Sequence, residues 1–231
     1  MYNIETSCVP ECSPFDLIIF DLDGTLTDSM PIILEAFNTV FRKYAGVEMN
    51  EQQVVAHFGP PEDIIIAQYV KPPAYDEALK DYYAVHTQRT DLLKTYDGIP
   101  AVLTTLQERG RRLALYTGAS HRSALLRLSA TGLLGFFDEI LGGDEVEKHK
   151  PHPAGLHLIL KKFRCPLERA IYVGDTSSDI KMARAAGIKS AGVMWGIGDR
   201  QLLVAERPDF TLHQPSDLLS IVFPGRADKM T

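Results

Sequence analysis

The sequence predicts an α/β fold, in which a parallel β-sheet forms the core and a helical segment is inserted into it. Short apolar segments end at polar turn residues, and amphipathic segments with a helical period follow most of them. Strands that alternate with helices in this way favour right-handed βαβ units and a parallel sheet. About 90 residues separate the first apolar segment from the second, far more than a crossover needs, and this spacing predicts the insertion.

Four apolar segments have the length and composition of buried strands. They span residues 16–20, 112–116, 170–173 and 189–194. The amphipathic helical segments of the core span residues 98–109, 120–130, 153–163 and 178–186. This order predicts a Rossmann-like core. In open sheets of this kind the functional site lies beyond the carboxyl ends of the strands.

The inserted segment has the pattern of a small α-helical cap domain. One apolar stripe at helical spacing consists of Ile32, Ile33, Ala36, Phe37, Val40, Phe41 and Tyr44, and residues 78–85 look similar. Hinges are expected near Thr27 and in residues 95–98, where Gly98 and Pro100 break the pattern. A rigid additional layer of helices is the alternative. The predicted organisation is a flexible arm (1–14), a core (15–28 and 95–231) and a cap (29–94).

Composition and charge exclude several classes of protein. The 231 residues are 45% hydrophobic and 23% charged, which is typical of a globular chain and not of a disordered one. Lysine and arginine number 24 against 30 aspartates and glutamates, so the net charge is −6, which argues against a nucleic-acid-binding protein. No apolar run approaches the ~20 residues of a membrane-spanning helix. We therefore expect neither a nucleic-acid nor a membrane partner.

The N-terminal segment and the cysteines favour a cytoplasmic protein. The N-terminal residues contain neither a basic nor an apolar region, so nothing there resembles a secretory signal. Three cysteines argue against a disulfide framework. Cys8 and Cys12 form a C-x-x-x-C pair without the two further ligands of a zinc site. Because no interface signal is visible, we expect a monomer.

Two pairs of aspartates follow two of the predicted strands. Asp21 and Asp23 lie two residues apart beyond the first strand, so both can point to one face, and Gly24 permits a tight turn after them. Asp175 and Asp179 follow the third strand. In a parallel sheet both pairs reach the same edge, where four carboxylates cannot all stay ionised without a cation. Oxygen ligands without convergent Cys or His favour a hard ion, and we predict Mg²⁺.

The charge at this edge also predicts a general acid. Four aspartates, a divalent ion and Lys150 together leave one negative charge, and a phosphate dianion would add to it. One protonated aspartate would relieve the excess. A proton held beside the leaving group is the arrangement that general acid catalysis needs.

Thr117, Gly118 and Lys150 have the chemistry of a phosphate-binding site. Thr117 offers a hydroxyl donor and Gly118 an unhindered backbone amide close to the start of a helix, where anions bind well. Lys150 supplies a cation whose position the following Pro151 constrains. Each also has an ordinary explanation, since a threonine at a strand end is usually a helix cap and a single lysine is usually solvated.

Together these segments resemble the four motifs of the haloacid dehalogenase-like superfamily of phosphatases and phosphotransferases. The first motif of that family, D-x-D-G-T, matches residues 21–25, and the fourth, G-D-x-x-x-D, matches residues 174–179. Thr117 and Lys150 match the second and third motifs. The resemblance extends over about residues 15–223, includes the cap, and is greatest to the phosphoglycolate phosphatase and β-phosphoglucomutase branch.

The resemblance implies a role for each motif residue. Asp21 would attack phosphorus to form an aspartyl-phosphate and would also bind Mg²⁺. Asp23 would protonate the leaving oxygen, later activate water, and bind the metal through its backbone carbonyl. Asp175 would be the other direct metal ligand, and Asp179 would support the metal shell or orient the lysine. Thr117 and Lys150 would bind the phosphoryl oxygens, and the further phosphate-binding candidates are Gly24, Thr25, Gly118 and Ala119.

The cap is expected to set the choice of substrate, because the core recognises only the phosphoryl group. His57 and Phe58 lie where related chains place a specificity loop, and they are the substrate-binding candidates in the cap. The alternative is that Phe58 belongs to the cap core and His57 to the surface. Arg89 and His121 are weaker candidates on the two sides of the cleft.

Histidines around the motif lysine are a departure from that branch. His149 precedes Lys150, and His152 follows Pro151. Either histidine could touch the substrate, although a loop histidine is more often only exposed. A zinc site made of His149, His152 and His157 is a remote alternative, because the aspartates already suit a hard metal.

The sequence thus predicts an enzyme that hydrolyses a small phosphorylated metabolite. Asp23 favours phosphate-ester chemistry, since relatives that cleave carbon–halogen or carbon–phosphorus bonds lack this acid. A phosphomutase is the first alternative, because it uses the same motifs but excludes water. A non-catalytic phosphate-binding regulatory module is the second, although such a module needs neither a cap nor the fourth motif.

Overall fold

The computed structural model describes residues 13–225, and a six-stranded parallel sheet forms its centre. The strands are β1 (Leu17–Phe20), β2 (Thr27–Asp28), β3 (Lys94–Thr95), β4 (Arg112–Tyr116), β5 (Glu139–Leu141), β6 (Ala170–Gly174), β7 (Lys189–Val193) and β8 (Phe210–Leu212). The sheet has the order β5-β4-β1-β6-β7-β8, and β2 and β3 form a separate two-stranded sheet. The predicted α/β fold with a parallel core is confirmed.

The four predicted strands correspond to β1, β4, β6 and β7. The pattern does not predict β5 and β8, because three residues at the edge of a sheet are too short for a recognisable apolar run.

Ten α-helices lie in the described part of the chain, together with four short 3₁₀ helices. The α-helices are α1 (Met30–Tyr44), α2 (Glu51–Val55), α3 (Glu62–Tyr69), α4 (Tyr75–Gln88), α5 (Ile99–Glu108), α6 (His121–Ala130), α7 (Ala154–Phe163), α8 (Ser177–Ala186), α9 (Arg200–Ala205) and α10 (Asp217–Val222). None of the helices in residues 13–225 is long and apolar enough to cross a membrane.

Both faces of the sheet are buried, since successive strand residues point to opposite sides. On one face, Ile18 and Phe20 of β1 pack in the same apolar cluster as residues of α5, α6 and α10. On the other face, Leu17 and Ile19 pack in a cluster with residues of α7 and α8. Burial on both sides explains why the strands read as continuous apolar runs.

The helices α1 to α4 have an apolar core of their own. We call residues 29–94 the cap. The predicted stripe lies on α1, where all its members except Tyr44 are buried. The rings of Phe37 and Tyr82 pack at a centroid distance of 5.0 Å and join α1 to α4. The chain enters and leaves the cap through the antiparallel pair β2–β3, in which Thr27 lies opposite Thr95. The division into two domains that move about these segments remains a prediction.

The predicted flexible arm falls largely on residues 1–12, which lie outside the described residues, as do Cys8 and Cys12. Its last part requires a correction. Ser13 is buried, and its hydroxyl donates a hydrogen bond to the carbonyl of Val222 at 2.6 Å. The core therefore begins at least two residues before Phe15.

A glycine in α7 allows that helix to pack directly against the sheet below the site. A Cβ at position 155 would lie 2.3 Å from Cζ of the buried Tyr116 ring. We expect Gly155→Ala to lower the free energy of unfolding by about 1–3 kcal/mol, because the added methyl group would overlap a fully buried ring. Urea unfolding monitored by circular dichroism measures this change.

The matched control is Gly135→Ala, since a Cβ at position 135 meets no atom within 4 Å. Equal stability of the two variants would contradict the packing that we describe for Gly155.

Candidate active site

Three strands bring the polar residues of the site together at one edge of the sheet. Phe20 of β1 lies in register with Leu115 of β4 and with Val173 of β6. The residues that follow these strands therefore reach the same level, and they include Asp21, Thr117 and Asp175. All three are buried, with at most 6% of their surface exposed. The placement predicted for them at the carboxyl edge is what the structure shows.

Lys150 lies at the centre of this group although it belongs to no strand or helix. Its ammonium donates hydrogen bonds to Asp21 Oδ1 at 2.7 Å, to Asp179 Oδ1 at 2.9 Å and to the Tyr172 hydroxyl at 2.6 Å. Burial works against the charged ammonium, but the Asp179 and Asp21 carboxylates raise the pKa of Lys150 above its usual value. Lys150 thus stays positively charged, and its three hydrogen bonds fix the position of the ammonium group.

Tyr172 is a site residue that sequence reasoning missed. It lies on β6, its hydroxyl accepts the hydrogen bond from Lys150, and it donates one to the carbonyl of Tyr116 at 2.8 Å. The only signal in the sequence is a tyrosine in an otherwise aliphatic strand, which does not by itself distinguish a buried partner of a lysine from a core residue.

Asp21, Asp175 and Asp179 form a buried acidic cluster in which one oxygen from each lies within 4.8 Å of the others. Within residues 13–225 this is the only such group of three potential metal ligands. Asp175 Oδ2 accepts hydrogen bonds from the backbone amides of Ile197 and Gly198, but Asp175 Oδ1 is buried without a partner. Burial raises the pKa of both Asp21 and Asp175, with neighbouring carboxylates adding to the effect.

This cluster fits a hard divalent cation. The ligands are all oxygens, and the unpartnered Oδ1 of Asp175 is an acceptor that needs a positive partner. The alternative zinc site of His149, His152 and His157 does not form, because the three histidines do not converge in the described structure. The cluster can hold a divalent metal ion, as the sequence predicts.

Asp179 is held firmly in its supporting position. It is the third residue of α8, and its Oδ2 accepts hydrogen bonds from the amide and hydroxyl of Thr176 at 3.0 and 2.7 Å. This capping box leaves Oδ1 for Lys150. Asp179 therefore accepts a hydrogen bond from the lysine, and the two roles expected for it stay predictions.

Gly24 and Thr25 are placed differently from the prediction that they bind phosphate. A Cβ on Gly24, whose φ is +83°, would lie 2.2 Å from Asp175 Oδ2, so this glycine lets the first motif pack against the fourth. Thr25 is buried beneath it, and its carbonyl accepts a hydrogen bond from the Trp195 indole at 3.0 Å. Neither residue lines the cavity described below.

Asp23 is held through both of its carboxylate oxygens. The Ser29 hydroxyl donates to Oδ1 at 2.6 Å, and the Arg127 guanidinium donates to Oδ2 at 2.5 Å. Ser29 lies at the start of the cap, whereas Arg127 lies on α6 of the core and is 1% exposed. The charge count made from the sequence omitted Arg127, so the excess negative charge at the edge is smaller than predicted.

Glu62 of the cap forms a second buried link to α6. Its carboxylate accepts hydrogen bonds from the Ser120 amide at 3.0 Å, from the Ser123 hydroxyl at 2.7 Å and from the Ser120 hydroxyl. Burial opposes ionisation, but Arg127 and these donors lower the pKa of Glu62 below its usual value. The sequence does contain a signal for Glu62, because it stands three and four residues before Ile65 and Ile66 on the buried side of α3.

A cavity of about 440 Å³ lies between the sheet edge and the cap. From the core it is lined by motif residues and their neighbours, namely Asp21, Asp23, Thr117, Gly118, Ala119 and Lys150. From the cap it is lined mainly by apolar side chains, namely Ile33, Phe37, Val55, Phe58 and Ile65. Gly118 and Ala119 thus line the cavity, and their contact with a phosphoryl group stays a prediction.

Of the two cap candidates, Phe58 lines the cavity and His57 does not. The imidazole of His57 lies between the Gln53 carbonyl, at 2.7 Å from Nδ1, and the Tyr69 hydroxyl, at 2.8 Å from Nε2. These partners hold His57 within the cap. The expectation that His57 contacts the substrate is corrected, because its two ring nitrogens already contact Gln53 on α2 and Tyr69 on α3.

The remaining candidates lie away from the cavity. Arg89 is paired with Asp91, and His121 Nδ1 lies 2.9 Å from Glu145 Oε2. His149 and His152 do not line the cavity, although Lys150 and Pro151 between them do.

Comparison with known proteins identifies the family. The model of the haloacid dehalogenase-like hydrolases matches residues 18–193, which are most of the chain. The pyrophosphatase PpaX of Bacillus pumilus is 35% identical over 211 residues, covering 91% of this chain and 97% of that protein. The PpaX of Anoxybacillus flavithermus is also 35% identical, over 89% of this chain and 95% of the relative.

Solved structures show the same fold. A predicted phosphoglycolate phosphatase from Haemophilus somnus superposes with a TM-score of 0.81 at 24% identity, covering 91% of this chain and 99% of that one. A candidate β-phosphoglucomutase from Thermotoga maritima superposes with a TM-score of 0.70 at 26% identity, covering 90% and 98%. The motif residues, their convergence at the sheet edge and these relatives agree, and the chain belongs to the haloacid dehalogenase-like hydrolase family, within which it is a phosphatase.

Proposed function

We propose that this phosphatase is Mg²⁺-dependent and works through an aspartyl-phosphate on Asp21. The observation that carries the proposal is the arrangement around Asp21. Its carboxylate is held by Lys150 at 2.7 Å, beside the buried and unpartnered Oδ1 of Asp175, at the floor of the cavity. A carboxylate fixed by a cation next to an anion-binding loop is suited to nucleophilic attack on phosphorus.

The reaction would proceed in two steps. In the first, an Asp21 oxygen bonds to phosphorus, the bond from phosphorus to the leaving oxygen breaks, and Asp23 gives that oxygen a proton. In the second, water attacks phosphorus, the bond to Asp21 breaks, and Asp23 accepts the proton of the water. Thr117, Lys150 and the amides of Gly118 and Ala119 would bind the phosphoryl oxygens throughout.

The metal would be held by the carboxylates of Asp21 and Asp175 and by the backbone carbonyl of Asp23, with Asp179 in support. When bound, Mg²⁺ offsets the negative charge of these carboxylates and of the phosphoryl oxygens. Lys150 neutralises part of the same charge, because it is bonded to both Asp21 and Asp179.

The cap side of the cavity favours an organic phosphate ester over pyrophosphate. Among the described residues lining the cavity, the lysine and arginine side chains are Lys150, which would bind the transferred phosphoryl group, and Arg127, which is paired with Asp23. A second phosphate would therefore meet apolar groups such as Phe37 and Phe58. Although the relatives named above are called pyrophosphatases, we propose a small phosphate monoester with an apolar part as the substrate, selected by the cap.

The test is release of inorganic phosphate from a panel of sugar phosphates, phosphoglycolate, nucleotides, aryl phosphates and pyrophosphate, each with Mg²⁺ and with chelator. We expect chelator-sensitive release, with a kcat/KM for the best ester that is about tenfold or more above that for pyrophosphate. Pyrophosphate as the best substrate would contradict the proposed substrate class. Chelator-resistant turnover would contradict the metal dependence. Conversion of a hexose 1-phosphate to an isomer without phosphate release would indicate a phosphomutase.

A further inference from the structure

Arg127 connects the proposed acid–base residue to the cap. It lies on α6, and its guanidinium is buried at the boundary between core and cap. One nitrogen, Nη1, donates to Asp23 Oδ2 at 2.5 Å. The other, Nη2, lies 3.1 Å from His86 Nε2 and 3.4 Å from the Tyr82 hydroxyl, both on α4 of the cap. The planar guanidinium of Arg127 therefore contacts Asp23 in the core through one nitrogen and α4 of the cap through the other.

The hydrogen bonds of His86 fix the direction of this link. His86 Nδ1 lies 3.1 Å from the carbonyl of Tyr82, which can only accept, so Nδ1 carries the proton. Nε2 is then an acceptor for Arg127 Nη2. Burial and the Arg127 charge lower the pKa of His86 to about 3, so the neutral imidazole persists at neutral pH. Glu62, also in the cap, adds a negative charge near the same guanidinium.

We propose that Arg127 is a positioning residue that holds the Asp23 carboxyl group in place for proton transfer while α4 lies against the core, with His86 as the acceptor that fixes the guanidinium. This proposal rests on the proposed function, in which Asp23 donates a proton to the leaving oxygen. Because the arginine fork is rigid, its orientation at Asp23 depends on what its other end contacts. Displacement of α4 would remove the acceptors of Nη2 and release the constraint on Asp23.

The leaving group provides a readout that a merely structural role would not change. p-Nitrophenolate departs without help from an acid, whereas phenolate needs a proton, and the two aryl phosphates have similar shapes. The parameter kcat/KM covers the steps up to departure of the leaving group and so excludes the second step. We therefore compare kcat/KM for phenyl phosphate and p-nitrophenyl phosphate, with Mg²⁺ present, in the wild type and in the variants Asp23→Asn, Arg127→Met and Arg122→Met.

Arg122→Met is the matched control. Arg122 lies on the same helix, is exposed, and stacks on the Tyr83 ring of α4 at 4.1 Å, but it does not contact Asp23. The substitution removes an arginine between α4 and α6 and leaves the contacts of Asp23 unchanged. We expect its ratio of phenyl to p-nitrophenyl activity to equal that of the wild type.

For Arg127→Met we expect kcat/KM for phenyl phosphate to fall about 10- to 100-fold, and that for p-nitrophenyl phosphate less than about fivefold. Asp23→Asn should show the same selectivity with a larger loss. If Asp23→Asn shows no selectivity, the role proposed for Asp23 is wrong. Two results would contradict only the inference about Arg127, provided that Asp23→Asn loses phenyl phosphate activity selectively. In one, Arg127→Met loses both activities equally. In the other, Arg127→Met hydrolyses phenyl phosphate as fast as the wild type.

A pair of substitutions at His86 tests the link to the cap. It also keeps the proposal testable if Arg127→Met fails to fold. His86→Gln keeps an acceptor near the position of Nε2, whereas His86→Leu removes it. We expect His86→Leu to lose kcat/KM selectively for phenyl phosphate. His86→Gln should keep the wild-type ratio of phenyl to p-nitrophenyl activity. In the double variant with Arg127→Met, the His86→Leu loss should disappear. Additive losses in the double variant would contradict action of His86 through Arg127.

Discussion

Asp21→Asn is expected to lower kcat by about 10⁴-fold or more while leaving the fold unchanged. The amide has the shape of the carboxylate but neither its charge nor its nucleophilicity. The hydrogen bond from Lys150 to position 21 at 2.7 Å can persist, because the amide oxygen accepts it in place of Oδ1. The substitution thus removes the chemistry of Asp21 and keeps its packing, which makes the loss of rate specific to the proposed covalent step.

The measurement is turnover of the best substrate of the panel, together with acid quenching during turnover to trap phosphate on the protein. We expect the wild type to carry a trapped phosphoryl group on the peptide that contains Asp21, and the variant to carry none. Asp16→Asn is the control, since Asp16 immediately precedes β1 at its opposite end and its side chain is 51% exposed. The control should stay within about twofold of the wild type, as is usual for surface changes far from a site.

Near-normal turnover of Asp21→Asn would mean that the phosphoryl group passes directly to water. Loss of turnover with a trapped phosphoryl group still present would place the nucleophile elsewhere. Either result would refute the covalent step on Asp21, and neither would affect the assignment of the fold.

The positions of the motif residues could be predicted because they depend on local pattern and on one general rule of α/β sheets. Asp21, Thr117 and Asp175 each follow an apolar strand, and parallel strands align their carboxyl ends. Their convergence therefore needs no knowledge of side-chain packing. The cap could be predicted as an insertion from length alone, and its first helix from the stripe on α1.

The contacts of the motif residues with their partners could not be predicted, because they join segments that lie far apart in the chain. Arg127 and Asp23 are 104 residues apart in the chain. The spacing of Ala124, Arg127 and Leu128 does place the arginine on the buried side of α6, so its burial was predictable. Its acidic partner was not, since no local pattern states which loop will cover that side.

The misplaced candidates share a physical reason. His57 and Gly24 have residue types that suit both a binding role and a structural one, and the sequence shows only the type. The structure gives His57 two partners within the cap and places Gly24 against Asp175. Packing decided the role in both cases, between neighbouring helices of the cap for His57 and between the first and fourth motifs for Gly24.

Asp175→Asn is expected to abolish Mg²⁺-dependent activity and yet to stabilise the metal-free protein. When a chelator removes the metal, the Asp175 carboxylate is buried beside Asp21 and Asp179, and its Oδ1 has no partner. Asparagine can keep the hydrogen bonds from the Ile197 and Gly198 amides through its oxygen and carries no charge. We expect the free energy of unfolding in chelator at pH 7 to rise by about 1–3 kcal/mol.

The sign of the pH dependence follows from the raised pKa of Asp175, which burial and then Asp21 and Asp179 cause. The folded state binds more protons than the unfolded state in the range above the ordinary Asp pKa of about 4. The stability of the wild type therefore falls, relative to the variant, as the pH rises from 4 toward 7. Urea unfolding at several pH values in chelator measures the difference.

Asp179→Asn is the contrasting variant, because Asp179 is equally buried but is paired with Lys150 at 2.9 Å. Its substitution leaves a buried ammonium with one carboxylate fewer and should lower the free energy of unfolding in chelator by about 1–3 kcal/mol. Added Mg²⁺ should stabilise the wild type in proportion to the logarithm of its concentration and Asp175→Asn hardly at all. A destabilised Asp175→Asn, or one that Mg²⁺ stabilises as much as the wild type, would show that this carboxylate is a structural group and not the unsatisfied ligand that its buried oxygen indicates.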